Sequence, residues 1–262
     1  MNDHAIAIEV TGLKIGYDGV VVLKDISFEV RRGEVFVILG GSGCGKSTLL
    51  KHLIGLFEPM AGEVWIEGVN LHAAEGEERR RLLRKFGVMY QSGALFGSLT
   101  VLENVRLPLD IFTELPERAR NLVALGKLKQ VGLAAAAHQQ PAELSGGMQK
   151  RAAIARAMAL DPGILFLDEP SAGLDPVTSA GLDALINDLA ENMGITFVIV
   201  THELPSIYAV ADRAIMLDQK THTLIAEGQP AELRDHSPNP WVRQFFKREA
   251  EPTATVTVTT PP

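Results

Sequence analysis

Cysteine is almost missing from this chain of 262 residues: Cys44 stands alone, so no internal disulfide can form, which fits a reducing compartment. Long apolar runs are missing too. No stretch approaches the roughly 18–20 residues that cross a bilayer, and the opening MNDHAIAIEV lacks the basic, apolar, small-residue order of a signal peptide. If the protein serves a membrane, another chain has to provide the span. Basic runs are scarce as well. The net charge is −7 with Lys and Arg dispersed, which gives no reason to expect a nucleic-acid partner held by its backbone phosphates.

What is present is apolar material for a core, 46% of the residues against 22% charged, enough for one large domain or a domain carrying an inserted subdomain. The first ninety residues read as short strands separated by turns: AIAIEV, ISFEV before Arg31-Arg32-Gly33, and VFVIL running into glycines. VFVIL has the unbroken apolar character of a buried parallel strand. From Ser47 the stretch STLLKHLIGL spaces Leu49, Leu50, Leu53, Ile54 and Leu56 as a helix does. Between about Ala94 and Leu160 helical patterns dominate, punctuated by Pro108, Pro116 and Pro141, which predicts an inserted helical subdomain. ILFLD, a helix around Thr178 to Asn192 and TFVIVTH then make a parallel β-α-β unit. The expected division is a core of residues 5–93 and 161–248, a helical part 94–160, and a disordered Thr- and Pro-rich tail 249–262.

Gly40-Gly41-Ser42-Gly43-Cys44-Gly45-Lys46-Ser47 fills the pattern G-x-x-x-x-G-K-S/T between a strand and a helix start. There the glycines permit positive φ and close approach, so that backbone N–H groups wrap a polyphosphate, and the helix N-terminus adds its dipole. Lys46 reaches the β and γ phosphates of ATP, the Ser47 hydroxyl ligates Mg²⁺, and Thr48 adjoins it. Cys44 fills a variable position of the loop and reads as a tolerated residue there; thiol sensitivity is the alternative if its side chain is exposed. Ile164 to Glu169 forms an apolar strand that delivers two carboxylates at its C-terminal end, where open α/β sheets bind ligands. Asp168 is placed for the Mg²⁺ shell and Glu169 to polarise the attacking water as general base.

Leu144-Ser145-Gly146-Gly147-Met148-Gln149 separates this chain from other phosphate-loop proteins. Alone it is a helix-capping turn. In this company it resembles the LSGGQ signature of the ABC ATPases, followed by a basic helix start in Lys150 and Arg151 and preceded at the family's distance by Gln91. The resemblance covers roughly residues 6 to 248. It implies an α/β phosphate-loop core with a parallel sheet, an antiparallel β subdomain and an inserted α-helical subdomain. It also implies Tyr17 stacking on adenine, Ser171-Ala172-Gly173-Leu174-Asp175 as the loop after the acidic pair, Gln91 as a further Mg²⁺ and catalytic residue, and His202 as γ-phosphate sensor. The other six histidines show no ligand spacing and receive no role. The family's mechanism implies that two ATPs lie between two such subunits, each phosphate loop facing Ser145, Gly146 and Gly147 of the other, so that the chain works as a homodimer.

A finer resemblance is to the ATPase subunit of Mla/Mce-type lipid transporters. It rests on Gln91-Ser92-Gly93-Ala94-Leu95-Phe96, on Met148 where most ABC ATPases carry Gln, and on NPWVRQFFKRE after EGQPAEL. It implies a peripheral subunit at the cytoplasmic face of a Gram-negative inner membrane, held by a permease whose coupling helix enters a groove around Ser92 to Leu99. An MCE-domain substrate-binding protein and a small accessory subunit are the further implied partners. NPWVRQFFKRE reads as a short helix presenting Trp241, Phe245 and Phe246 together, as a dimer clasp or as packing on its own domain. An ABC ATPase for another cargo, or a soluble one in DNA repair or cluster assembly, stays open. The acidic charge and the lack of zinc-type cysteines and of a long coiled-coil insert oppose the soluble form. Glu169 and His202 oppose a regulatory module without turnover.

Overall fold

The structure, a computed structural model, describes residues 5–17 and 19–249. The tail from Ala250, expected to be disordered, lies outside the described residues. Two sheets carry the fold. The first is antiparallel, in the order β2 (Val20–Arg31), β1 (Ile6–Tyr17), β4 (Ala61–Ile66) and β5 (Val69–Asn70). Between them in sequence lie β3 (Val35–Gly40) and helix α1 (Lys46–Leu53), and α2 (Gly76–Leu83) follows β5. The second sheet runs β10 (Thr223–Gly228), β9 (Arg213–Asp218), β3, β8 (Thr196–Val200), β7 (Ile164–Asp168) and β6 (Phe86–Met89). Its strands are parallel except β10, which pairs antiparallel with β9. The antiparallel sheet and the parallel sheet make the α/β phosphate-loop fold that the sequence implies.

Three strands at the centre of the second sheet are buried at every position. Because side chains alternate across a strand, each serves two cores. Val35, Val37 and Leu39 enter the core beneath the helices, whereas Phe36 and Ile38 enter the one shared with the antiparallel sheet and α1. Leu165 and Leu167 against Ile164 and Phe166 repeat that division on β7. An apolar run without alternation is therefore what a strand covered on both faces requires.

Between β6 and β7 the chain forms α3 (Val101–Phe112), α4 (Glu117–Gln130) and α5 (Gly146–Ala157). Thr100 caps α3 reciprocally with Glu103. Pro108 does not punctuate the pattern as the sequence suggests: it lies inside α3. A proline in a helix costs about 3 kcal/mol, and burial of Val101, Val105 and Leu109 on one face, at about 1.5–3 kcal/mol each, outweighs it. The chain continues with α6 (Pro176–Met193), α7 (Leu204–Val210), α8 (Pro230–His236) and α9 (Pro240–Lys247). The α1 pattern also ends earlier than its apolar spacing suggests. Gly55 takes φ +71 and turns the chain away, which leaves Leu56 exposed instead of on the buried stripe. Among the described residues, no helix is long and apolar enough to cross a membrane.

Candidate functional site

At the C-terminal ends of β3, β7 and β8 the sequence-predicted residues converge on a cleft of about 730 Å³. Gly40 to Gly43 and Gly45 to Thr48 of the phosphate loop form its floor, and Tyr17, Gln91, Glu169 and His202 line it as well. Gly40 has φ +153, and a Cβ there would stand 2.5 Å from the Leu217 carbonyl oxygen and 2.6 Å from Cys44 Sγ, so only glycine fits. Gly45, at φ +102, turns the loop into α1. Lys46 is buried and donates from Nζ to the carbonyls of Gly40 (2.9 Å) and Gly41 (3.1 Å). Those carbonyls hold the ammonium over the loop at the position a phosphate would take it from.

Cys44 is buried, in line with its reading as a tolerated residue and against the thiol-sensitive alternative. Its side chain is 2% exposed and packs into the core under the loop, where burial pushes the thiol pKa up and so disfavours the reactive thiolate. Only its backbone serves the loop, its N–H donating to Gly41.

From the end of the loop, Ser47 Oγ donates to Asp168 Oδ1 of β7 at 3.3 Å. Burial, then the neighbouring Glu169 charge, pushes the Asp168 carboxyl up, and the Ser47 bond opposes this. Glu169 is buried with φ +47, a left-handed backbone that costs a non-glycine residue energy and collects at functional sites. His202 Nδ1 donates to Glu169 Oε1 at 2.8 Å, while Glu169 Oε2 has no hydrogen-bond partner among the described residues. A buried acceptor left open in a polar cleft is a place for a ligand or water. Hard oxygen donors at Ser47 and Asp168, with Gln91 lining the same cleft, fit a divalent cation such as Mg²⁺.

Not every expected residue reaches this cleft. Ser145, Gly146 and Gly147 are outside its lining. Ser145 is exposed and caps α5 by accepting from Met148 N–H, as its reading as a capping turn requires. Gly147 abuts Thr178, whose Cγ2 would lie 2.3 Å from an added Cβ. Asp175 is the N-cap of α6 and also points elsewhere; bonds from the Thr178 hydroxyl and N–H hold its carboxyl below the usual range. Trp241, Phe245 and Phe246 are not presented outward together but pack on their own domain: Trp241 and Phe245, one turn apart on the same face, are half-buried against the core that Phe246 enters. Phe246 is buried with Val242, Phe245 lines the cleft, and Trp241 faces a neighbouring depression with Asn239 and Gln244.

Sequence reasoning missed six residues of the cleft wall and one cation. Val20, Val21 and Val22 come from β2, Gln219 and His222 from the β9–β10 turn, and Phe245 from α9, whose sequence pattern points to a clasp or to packing and not to this cleft. His222 Nδ1 approaches the Val22 carbonyl at 2.9 Å, fixing that wall to the antiparallel sheet. Lys150 looked like part of a basic helix start, yet it is buried, and burial lowers its pKa against the raising pull of Glu169 and Asp168.

A phosphate-wrapping loop, an oxygen-donor pair and a carboxylate with one open oxygen define a phosphate-loop nucleotide hydrolase. The comparisons narrow the class. The family model described as ABC transporter matches residues 23–172. The intermembrane phospholipid transport system ATP-binding protein MlaF of Escherichia coli (strain K12) is 40% identical over 225 residues, 86% of this chain and 82% of that protein. The "Probable ribonucleotide transport ATP-binding protein mkl" of Mycobacterium leprae is 40% identical over 241 residues, 92% of this chain and 69% of that one. Among solved structures, the dimeric ATP-binding cassette MJ0796 in a post-hydrolysis state with ADP and Pi superposes with a TM-score of 0.75 at 33% identity, covering 85% of this chain and 98% of that one. This chain belongs to the ABC transporter family as its ATP-binding, ATP-hydrolysing subunit.

Proposed function

We propose that this subunit powers phospholipid transport between the inner and outer membranes of a Gram-negative bacterium, from the cytoplasmic face of the inner membrane and held there by a permease. The observation that carries the cargo is the likeness to MlaF over most of both chains. Gln91 to Phe96 and Met148 support it from the sequence. Equal identity to a relative named for ribonucleotide transport favours that cargo as the second reading. An MCE-domain protein and a small accessory subunit complete the proposed assembly.

Two copies of the chain act together. Ser145 is exposed and its neighbours are outside the lining of their own cleft, which supports their facing the phosphate loop of a second copy. The loop amides and Lys46 hold the phosphates, with Lys46 exchanging the Gly40 and Gly41 carbonyls for phosphate oxygens. Tyr17, 58% exposed at the cleft rim, offers its ring to the base. Ser47, Asp168 and Gln91 would hold Mg²⁺, which when bound neutralises charge developing on the phosphates. Glu169 Oε2 accepts the proton of a water whose oxygen attacks the γ-phosphorus; the bond to the β-phosphate oxygen breaks, leaving ADP and inorganic phosphate. His202 keeps Oε1 engaged, so the open oxygen is the one aimed at the water. Closure on ATP and release after hydrolysis are the mechanical stroke.

Affinity purification of the tagged full-length chain from detergent-solubilised membranes, with mass spectrometry of bound proteins and lipids, tests the assembly. Recovery of a permease, an MCE-domain protein and phospholipid is expected. A permease with a different binding protein would overturn the lipid cargo and keep the motor, and the absence of any membrane protein would overturn both.

A further inference from the structure

Lys150 occupies the second turn of α5, five residues beyond the Ser145 cap, and is 8% exposed. An ammonium hidden from water needs acceptors. Here they are two main-chain carbonyls, those of Gln91 and, at 3.4 Å, Glu169. The two belong to neighbouring strand ends. The ladder between β6 and β7 ends at Met89 opposite Leu167, and Lys150 links the two chain segments past that end. Farther along the same helix, Arg156 donates to the carbonyls of Gly93 and Ala94, both at 2.8 Å. One helix thus grips the main chain of Gln91, Gly93 and Ala94 with two cations, and reaches Glu169 with one of them. The left-handed backbone of Glu169 is unfavourable for a side-chain-bearing residue and persists only where its surroundings hold it.

We propose that Lys150 is a positioning residue for hydrolysis: its buried ammonium ties Gln91 to Glu169, so that a shift of α5, whose N-terminus carries Ser145, re-aims the carboxylate at the water. This rests on Glu169 being the base. Bonds from a cation to backbone carbonyls are charge-assisted and directional, and replacing the lysine leaves both carbonyls without their donor. The effect falls on the reaction step, because Lys150 is not among the residues lining the cleft.

The test uses the full-length chain purified with its membrane partners and compares Lys150→Met, Lys150→Gln and Lys150→Arg, measuring kcat, KM and ATP affinity beside urea unfolding. Lys150→Met is expected to lower kcat roughly 10- to 100-fold and leave ATP affinity within about twofold. Lys150→Arg should recover much of the rate, since it restores the charged donor. Should the Met variant not fold, Lys150→Gln, which keeps one donor group, is expected to show the same split between kcat and KM. Parallel loss of rate, affinity and stability with no rescue by Arg would mean a structural role and overturn the proposal. So would an unchanged kcat. In a double-mutant cycle, adding Lys150→Met to Glu169→Gln should cost little further rate if the lysine acts through that carboxylate; full additivity would overturn it. Near-normal turnover in Glu169→Gln alone would instead remove the base assignment, a failure distinguishable from that of the lysine.

Discussion

Replacing Glu169 with Gln keeps the side chain's shape and removes its charge and proton-accepting oxygen. In the native cleft Oε1 accepts from His202 Nδ1 at 2.8 Å and Oε2 is buried and open. The amide oxygen of glutamine can keep the His202 bond. Its NH₂ then stands where Oε2 was, a donor in the place of an acceptor, and a water held there loses its base. A positioned general base is worth about 10²- to 10⁴-fold, or about 3–5 kcal/mol of barrier. Nothing in the phosphate loop changes, so ATP affinity should hold. Single-turnover phosphate release, with ATP binding measured separately on the same preparation, separates the two quantities. Turnover within a few-fold of the native chain would show that another group takes the proton.

Three further perturbations follow from the geometry. Lys46→Ala removes the buried ammonium held at Gly40 and Gly41 and should weaken ATP binding itself by roughly 10- to 100-fold; unchanged affinity in a binding titration would contradict the loop assignment. Gly87→Ala should destabilise the chain by about 1–3 kcal/mol in urea unfolding, because the new Cβ would lie 2.0 Å from the Ala157 carbonyl oxygen and force β6 away from α5. Asp183 is buried against the Ser206 hydroxyl, and burial raises its pKa above the unfolded value. Folding takes up a proton between those two values, so the group's contribution is fully favourable below about pH 4 and is lost as pH rises through the folded value. Asp183→Asn, which can still accept from Ser206, should therefore be more stable than the native chain at neutral pH, and a thermal-melt series should show that advantage vanish in acid.

The phosphate loop and the buried strands were legible because each is dictated locally. A strand covered on both faces needs an apolar run, and a loop around phosphates needs glycine at fixed places such as Gly40, where a Cβ meets Leu217. Pro108 and Leu56 misled for the opposite reason: tertiary burial keeps α3 intact through a proline, and Gly55 ends α1 before an apolar residue that belongs to its period. His222 and Gln219 could not be read at all, and Phe245 was read as part of a short helix but not as a cleft wall, since all three reach the cleft only through the β9–β10 turn and the docking of α9. Lys150 carried no signal either. A lysine in a basic helix start reads as a solvated charge until the fold closes Gln91 and Glu169 over it.

The central claim is that one chain is half of an ATP-hydrolysing unit, its cleft completed by Ser145 of a second copy. Sedimentation of purified Glu169→Gln chain with and without Mg-ATP tests this directly, because slowing hydrolysis preserves the closed state. Two chains holding two nucleotides with ATP, separating when it is removed and failing to form when Ser145 is also changed to Arg, is the predicted result. A chain saturated with ATP that sediments as a single copy would contradict it.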